Sequence, residues 1–176
     1  MTRAINGLAG NGGAVDFLMI QISALGVPLL VLAVAVQWWL GPDRTQRRHV
    51  AVAAGLSFLL GLAMNQIILE FVQRVRPNDV GLTHLLIAHS ADPSFPSDHA
   101  TATFAIAAAF LLHGYRKLGV PFLVAALLIA FSRVYVGTHY AGDILGGAVT
   151  GIFAALLVRA FYREGTRIDR LITGIL

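Results

Sequence analysis

Long apolar segments without charged residues constrain this chain more than any other feature. Residues 17–40 and 50–69 contain no Asp, Glu, Lys or Arg. A helix needs about 20 predominantly apolar residues to cross the hydrocarbon core of a bilayer. Five segments meet or approach that length: 17–40, 50–69, 100–113 (which can begin at Ser97), 118–131 (which can continue to Tyr135) and 140–161. The pattern predicts a single all-α domain over residues 1–176, a polytopic membrane bundle with about five transmembrane helices.

The composition supports a membrane protein. Hydrophobic residues make up 57% of the chain and charged residues only 12%, whereas a soluble domain has about 25% charged residues. A buried helical bundle in a soluble protein is therefore disfavoured. Residues 3–10 are too polar and glycine-rich for a signal peptide, and we expect a short interfacial helix or loop there. The absence of cysteine excludes disulfides, thiolate metal sites and a cysteine nucleophile.

The basic residues predict the orientation of the bundle. Alternate spans place three basic segments on one side: Arg44, Arg47, Arg48, Arg116, Lys117, Arg159, Arg163, Arg167 and Arg170, nine of the thirteen Lys and Arg residues. Cytoplasmic loops carry an excess of Lys and Arg, so this side is predicted to be cytoplasmic. Because these residues lie between apolar runs, membrane lipid headgroups are the expected partners and nucleic acid is not. Trp38 and Trp39 fall where an interfacial aromatic belt is expected.

The opposite face collects unusual polar residues. Four predicted helix ends bring them there: Glu70, Arg74 and Arg76 after the second span, Ser97, Asp98 and His99 before the third, Arg133 at the end of the fourth, and His139 and Asp143 at the start of the fifth. Ionisable residues at membrane depth are costly and usually face a cavity or a functional site. The sequence therefore predicts a site on the extracytoplasmic face.

His139 and Asp143 are spaced by four residues, which places them on one face of a helix. A carboxylate there can accept one ring N–H of the histidine, which makes the other ring nitrogen a better base or nucleophile. An ordinary polar pair at a helix start explains the same spacing.

Ser97 is a favourable N-cap for the third span, and the first N–H groups of that helix can bind a phosphate. Arg76 and Arg133 can supply bidentate hydrogen bonds to phosphate oxygens, although Arg76 also suits a simple interfacial position. Two arginines, a helix start, two histidines and an aspartate together describe phosphoryl transfer in which arginines neutralise the developing charge.

Three blocks resemble the signature of the type 2 phosphatidic acid phosphatase superfamily of membrane lipid phosphatases. Arg76-Pro77 is similar to the end of its first motif, and Pro96-Ser97-Asp98-His99 to its second. Ser132-Arg133, then His139 and Asp143 at the family's spacing, match its third. The segments 4–9 and 89–99 resemble the bacitracin-resistance branch, whose members are undecaprenyl pyrophosphate phosphatases that recycle the cell-wall lipid carrier.

The resemblance implies a role for each matching residue. His139 would be the nucleophile that forms a phosphohistidine, Asp143 would orient it, and His99 would be the general acid. Phosphate oxygens would be held by a set comprising Arg76, Arg133, Ser97 and the backbone amides near Asp98. No metal or other cofactor would be required.

This sequence departs from the family pattern at two positions. The first motif usually has a lysine where Leu69 stands, and Arg74 is the nearest basic candidate to replace it. The second motif more often has glycine where Asp98 stands. Aspartate at that position is frequent in the bacitracin-resistance branch, but an ionised acid beside a phosphate repels it, so the role of Asp98 stays open.

Other functions are compatible with parts of the sequence. The substrate can be another lipid phosphate, such as phosphatidylglycerophosphate, phosphatidic acid or another polyprenyl phosphate. A non-catalytic anionic-lipid binder or transporter needs the arginines but not an oriented nucleophile. A haem protein with His99 and His139 as axial ligands is a further alternative. A serine hydrolase built from the adjacent residues Ser97, Asp98 and His99 is disfavoured, because the members of a catalytic triad are seldom neighbours in the sequence.

The remaining polar and glycine residues receive simpler interpretations. His84 and His89 lie in the outer loop and are candidates to approach a second phosphate, whereas His49 and His113 are expected at the cytoplasmic interface. The glycines of the last span, Gly146, Gly147 and Gly151, are expected to allow close helix packing.

Overall fold

The computed structural model describes residues 1–174, and every regular element within that range is a helix. The seven helices are α1 (Thr2–Asn6), α2 (Ala14–Val36), α3 (Arg44–Phe71), α4 (Asp98–Leu112), α5 (Arg116–Tyr135), α6 (Ala141–Phe161) and α7 (Arg167–Thr173). The all-α prediction is confirmed, and the five predicted spans correspond in order to α2 through α6.

Four of the five central helices, α2, α3, α5 and α6, are long and apolar enough to cross a membrane. The fifth, α4, has 15 residues. At about 1.5 Å per residue it is roughly 22 Å long, shorter than the hydrocarbon core of about 30 Å. It lies at the centre of the bundle, packed against α3, α5 and α6. Five of its six alanines are almost completely buried, so its surroundings are mainly protein.

Some helix boundaries differ from the predicted ones, because a helix does not have to begin or end where its apolar segment does. Helix α3 begins at Arg44, before the predicted apolar span, because a helix can continue through the basic residues of the interface. Helix α2 ends at Val36, so Trp38 and Trp39 lie in the turn that follows it. The N-terminal segment forms the short helix α1, followed by a loop.

Glycines of α6 allow this helix to approach α4 closely. A Cβ atom at Gly151 would lie 2.3 Å from the carbonyl oxygen of Thr101, and one at Gly147 would lie 2.5 Å from that of Ser97. At Gly146 the Cβ would meet the ring of Phe95. The packing role predicted for these glycines is therefore confirmed, and it fixes the start of α4 against α6.

Replacing Gly151 by alanine is expected to lower the free energy of unfolding by about 2 kcal/mol, because the added methyl group meets backbone atoms that cannot move aside. Thermal denaturation in detergent measures this loss. Gly55→Ala is the matched control, since a Cβ there meets no described atom within 4 Å, and helix propensity predicts a gain of about 0.5–1 kcal/mol. Equal stabilities of the two variants would contradict the packing role.

At the end of the bundle that carries most basic residues, α7 is fastened to α3. The Nδ1 atom of His49 lies 2.8 Å from a carboxylate oxygen of Asp169, and the Tyr162 hydroxyl donates to the same oxygen at 2.7 Å. Arg48 donates to the carbonyl oxygen of Thr173 at 2.9 Å. His49 is fully buried at this end of the bundle, so its ring contacts protein groups rather than lipid headgroups. Its paired carboxylate, far away in the sequence, makes burial tolerable.

Candidate active site

The loop between α3 and α4 covers the opposite end of the bundle and is fastened to it by several hydrogen bonds. The side-chain amide of Asn6 donates to the carbonyl oxygens of His84 and Tyr135 at 2.9 and 2.8 Å. The backbone N–H of His84 donates to the side-chain oxygen of Asn6 at 2.7 Å. Thr83 donates to the carbonyl oxygen of Gly137 at 2.7 Å. Asn6 is buried. The first helix is thus part of the site's support, a role that its sequence did not indicate.

A cavity of about 310 Å³ opens at this end, and five of the nine predicted polar residues line it: Arg76, Asp98, His99, Arg133 and His139. It is lined by Gln66, Leu69, Arg76, Ser90, Asp92, Pro93, Pro96, Asp98, His99, Arg133 and His139. These residues come from α3, α4, α5 and the two loops at this end. The predicted convergence of four helix ends is therefore seen in the structure.

His139 is held in one orientation by a backbone carbonyl. Its Nδ1 atom lies 2.8 Å from the carbonyl oxygen of Ser94 and 3.4 Å from the Oδ2 atom of Asp143. A carbonyl oxygen can only accept, so Nδ1 carries the proton and Nε2 keeps its lone pair in the neutral ring. Burial lowers the pKa of His139, and the positive charges of Arg133 and Arg76 lower it further, whereas Asp143 raises it. The ring is thus neutral at pH 7, with Nε2 available as a nucleophile.

Asp143 is fully buried, and its closest partners differ from the predicted one. Its Oδ2 atom accepts the backbone N–H of Tyr140 at 2.8 Å, and its Oδ1 atom accepts from Arg74 at 2.9 Å. Helix α6 begins only at Ala141, so His139 lies in the preceding turn rather than on the helix. The carboxylate therefore faces His139 at 3.4 Å while its hydrogen bonds are made elsewhere.

The two predicted phosphate-binding arginines are anchored in different ways. Arg76 donates to the carbonyl and hydroxyl oxygens of Thr138 at 3.0 and 2.8 Å, and to the carbonyl oxygen of Asp92 at 2.9 Å. Arg133 donates to the hydroxyl of Ser23 on α2. Its buried Nε–H has no hydrogen-bond partner among residues 1–174. A buried guanidinium donor left unpaired in a cavity wall suits an anionic ligand.

As predicted, Ser97 occupies the N-cap position of α4, where its backbone is extended. Its side chain makes no capping hydrogen bond, which corrects the prediction that it caps the helix. The hydroxyl is buried and unpaired within the part of the chain that the structure describes. Its backbone N–H donates to the carbonyl oxygen of Asp143 at 3.1 Å, which joins the starts of α4 and α6. Ser97 itself is not one of the described residues lining the cavity, although both its neighbours are.

Asp98 lines the cavity and is held by Asn65 of α3. The Asn65 amide donates to Oδ1 of Asp98 at 2.7 Å and to the hydroxyl of Thr101 at 2.8 Å. Asn65 is fully buried, and this partner was missed because a lone asparagine in an apolar span does not reveal what it faces. The contact fixes the Asp98 carboxylate at the cavity wall.

Three other predicted residues lie away from the cavity wall formed by the described residues. Arg74 pairs with Asp143. His89 lies 2.8 Å from Asp79 on the surface, and His84 packs against Gly10. The structure therefore does not bring the two loop histidines to the site. Ser23, Ser94 and Thr138 were missed by sequence reasoning, since backbone carbonyls and single hydroxyls carry no recognisable pattern.

The fold and this cavity define an integral-membrane helical protein with a cavity lined by arginines and histidines at one end of the bundle. The model of the PAP2 superfamily matches residues 50–167, and the chain belongs to that superfamily. It is a multi-pass membrane lipid phosphatase, a hydrolase that acts on phosphate esters.

Individual relatives agree with this assignment. The chain is 36% identical to undecaprenyl-diphosphatase BcrC of Bacillus subtilis, over 90% of this chain and 81% of that protein. The transmembrane PAP2-type phosphatidylglycerolphosphate phosphatase of Bacillus subtilis superposes with a TM-score of 0.67 and 26% identity, over 94% of this chain and 86% of that one. LpxE of Aquifex aeolicus shares the fold, with a TM-score of 0.69 and 22% identity over 91% and 93% of the two chains.

Proposed function

We propose that this protein hydrolyses undecaprenyl pyrophosphate to undecaprenyl phosphate and inorganic phosphate through a phosphohistidine. The observation that carries the proposal is one cavity lined by His139, His99 and two arginines. Because Nδ1 of His139 is occupied by the Ser94 carbonyl, Nε2 is the nitrogen that can attack phosphorus. Oriented nucleophile, proton donor and charge-neutralising groups are the parts that phosphoryl transfer requires.

The reaction takes place in two displacements. Nε2 of His139 attacks the terminal phosphorus, and the bond from that phosphorus to the bridging oxygen breaks. The negative charge of the bound diphosphate favours a protonated His99, and undecaprenyl phosphate takes this proton as it leaves. His99 then accepts a proton from a water molecule, whose oxygen attacks the phosphohistidine. The P–N bond breaks, inorganic phosphate leaves, and Nε2 regains its lone pair. Arg76 and Arg133 neutralise the phosphoryl oxygens in both steps.

A different lipid phosphate is the second candidate substrate, since a structural relative is named for phosphatidylglycerolphosphate. The greater identity to an undecaprenyl-diphosphatase over most of both chains favours the polyprenyl diphosphate. The two candidates share the same site chemistry and differ in the leaving group and the lipid tail.

Phosphate release from a panel of lipids decides between them. The purified protein in detergent, with EDTA present, is expected to give a kcat/KM for undecaprenyl pyrophosphate at least about tenfold above those for phosphatidylglycerophosphate and phosphatidic acid, equivalent to about 1.4 kcal/mol. A higher value for a monoester would replace the proposed substrate. Activity that depends on added divalent metal would contradict the arginine-based mechanism.

We also propose that the site faces the extracytoplasmic side. The three basic segments named above lie at the opposite end of the bundle, where Lys and Arg mark the cytoplasmic face. Since the chain has no cysteine, Val80→Cys and Glu164→Cys each introduce a unique thiol at an exposed position, one at each end. A membrane-impermeant maleimide added to intact cells should label the first variant only. Labelling of the Glu164→Cys variant alone would show that the protein has the opposite orientation in the membrane.

Replacing Arg133 by lysine is expected to lower kcat/KM by at least about 10²-fold, because lysine keeps the charge but not the planar set of donors that fits a phosphoryl group. Arg3→Lys is the control, since Arg3 is exposed on the first helix. Steady-state phosphate release measures both variants. An Arg133→Lys enzyme with nearly full activity would show that only the charge at this position matters.

A further inference from the structure

Arg74 is fixed against the first turn of α6 by its side chain. Its Nη1 atom donates to Oδ1 of Asp143 at 2.9 Å, and its guanidinium carbon lies 4.0 Å from the centre of the Tyr140 ring. A Cβ atom at Gly142 would lie 3.4 Å from the same Nη1 atom, so the guanidinium packs on the helix surface. These contacts hold the cation beside a carboxylate that is fully buried.

The main chain of Arg74 reaches the second acceptor beside His139. The carbonyl oxygen of Arg74 accepts the backbone N–H of Ser94 at 2.8 Å, and the carbonyl oxygen of Ser94 faces Nδ1 of His139 at 2.8 Å. One residue therefore supports both groups that face this nitrogen: Asp143 through its side chain and Ser94 through its backbone.

We propose that Arg74 is a positioning residue that holds Asp143 aligned beside His139 without binding the substrate phosphate. The inference rests on the proposed role of His139 as nucleophile. It differs from the expectation that Arg74 replaces the missing lysine of the first motif, because Leu69 lines the cavity and Arg74 is outside the set of described residues that do so.

Charge balance explains why the buried carboxylate needs this cation. Asp143 interacts with Arg74, Arg76 and His139, while His139 also interacts with Arg133 and His99. The negative charge of a buried carboxylate favours protonation of a nearby histidine, and a cation bound to that carboxylate weakens the effect. Removing Arg74 therefore raises the proton affinity of the His139 ring.

Nucleophilic attack requires a neutral His139 ring, so a higher proton affinity of that ring moves the acidic limb of the pH–rate profile to higher pH. In Arg74→Gln we expect the acidic limb of kcat/KM to move to higher pH by about one unit. This is the low end of the shifts that a neighbouring opposite charge causes, because the Arg74 side chain is partly exposed to solvent. On the high-pH plateau KM should stay within about twofold, a difference of roughly 0.4 kcal/mol.

The matched variants are Arg74→Lys and Arg3→Gln. Lysine restores a cation, so at least part of the shift should be recovered. Arg3→Gln removes the same charge from an exposed position at the same end of the bundle, and the limb should not move. An unshifted limb in Arg74→Gln overturns the proposal. So does an increase of KM by about tenfold or more on the plateau, which corresponds to about 1.4 kcal/mol of lost substrate binding.

A measurement without turnover separates this inference from the proposed function. In protein labelled with ¹³C-histidine, the His139 signal is assigned by its absence from His139→Asn and titrated in micelles. Arg74→Gln should raise its midpoint by about one unit, and an unmoved midpoint overturns the inference even if the protein is active. Failure of the wild type to release phosphate from any lipid would refute the function alone. In an Asp143→Asn background, Arg74→Gln should add no further shift.

Discussion

Replacing His139 by alanine is expected to lower kcat by at least about 10⁴-fold, because the variant lacks the ring nitrogen that is proposed to attack phosphorus. The structure favours this residue since its ring is buried, neutral and fixed with Nε2 free. Phosphate release under single-turnover and steady-state conditions measures the loss.

Covalent labelling tests the same role independently. Brief incubation of the wild type with substrate labelled in its terminal phosphate should leave label on the protein that is stable to base and released by acid, as expected for a phosphohistidine. His139→Ala should retain none. His89→Ala is the matched control, because that exposed histidine pairs with Asp79 on the same side of the protein, and its activity should stay within about twofold, roughly 0.4 kcal/mol. Label retained by the His139 variant would assign the nucleophile elsewhere.

Replacing His99 by glutamine is expected to slow hydrolysis by an amount that depends on the leaving group. With a phosphate monoester the leaving group is an alkoxide that needs a proton, and the loss should approach about 10⁴-fold. With a polyprenyl diphosphate the leaving group is itself a phosphate, whose second pKa is about 6. It leaves more readily without a proton, so the loss should be nearer about 10²-fold.

This difference between substrates distinguishes proton donation from support of the fold. A variant with a distorted site would lose activity on every lipid to a similar extent. Parallel measurement of kcat on undecaprenyl pyrophosphate and phosphatidic acid gives the comparison. Equal losses, or a greater loss on the diphosphate, would exclude His99 as the acid for the leaving group. His99 lines the same cavity as His139, so both groups can reach one phosphate.

The sequence predicted those residues of the site whose type alone indicates their chemistry. His99, Arg133 and His139 were predicted from residue type, helix ends and spacing, and they line one cavity. The supporting groups were not predictable. The Ser94 carbonyl that orients His139 belongs to a backbone, and the partners of Arg133 and Asp98 are single polar residues in apolar helices.

The environments of Arg74 and His49 could not be predicted from the sequence either. Both were assigned by their position along the chain, one to the phosphate site and one to the interface. Their actual environments depend on carboxylates 69 and 120 residues away in the sequence. Sequence spacing predicts contacts within a helix, but such distant pairs form only when helices pack.

The sequence by itself determined that the chain forms membrane helices, which end carries the basic residues, and which residues are candidates for phosphoryl transfer. Apolar run length, charge asymmetry and residue chemistry are local properties, so they can be obtained from one dimension. Only the tertiary structure decided that α4 lies at the centre, that the Ser97 hydroxyl has no hydrogen-bond partner among residues 1–174, and that Asp143 is held by Arg74. These features depend on how the helices and loops pack, because contacts between residues distant in the sequence form only in the folded chain.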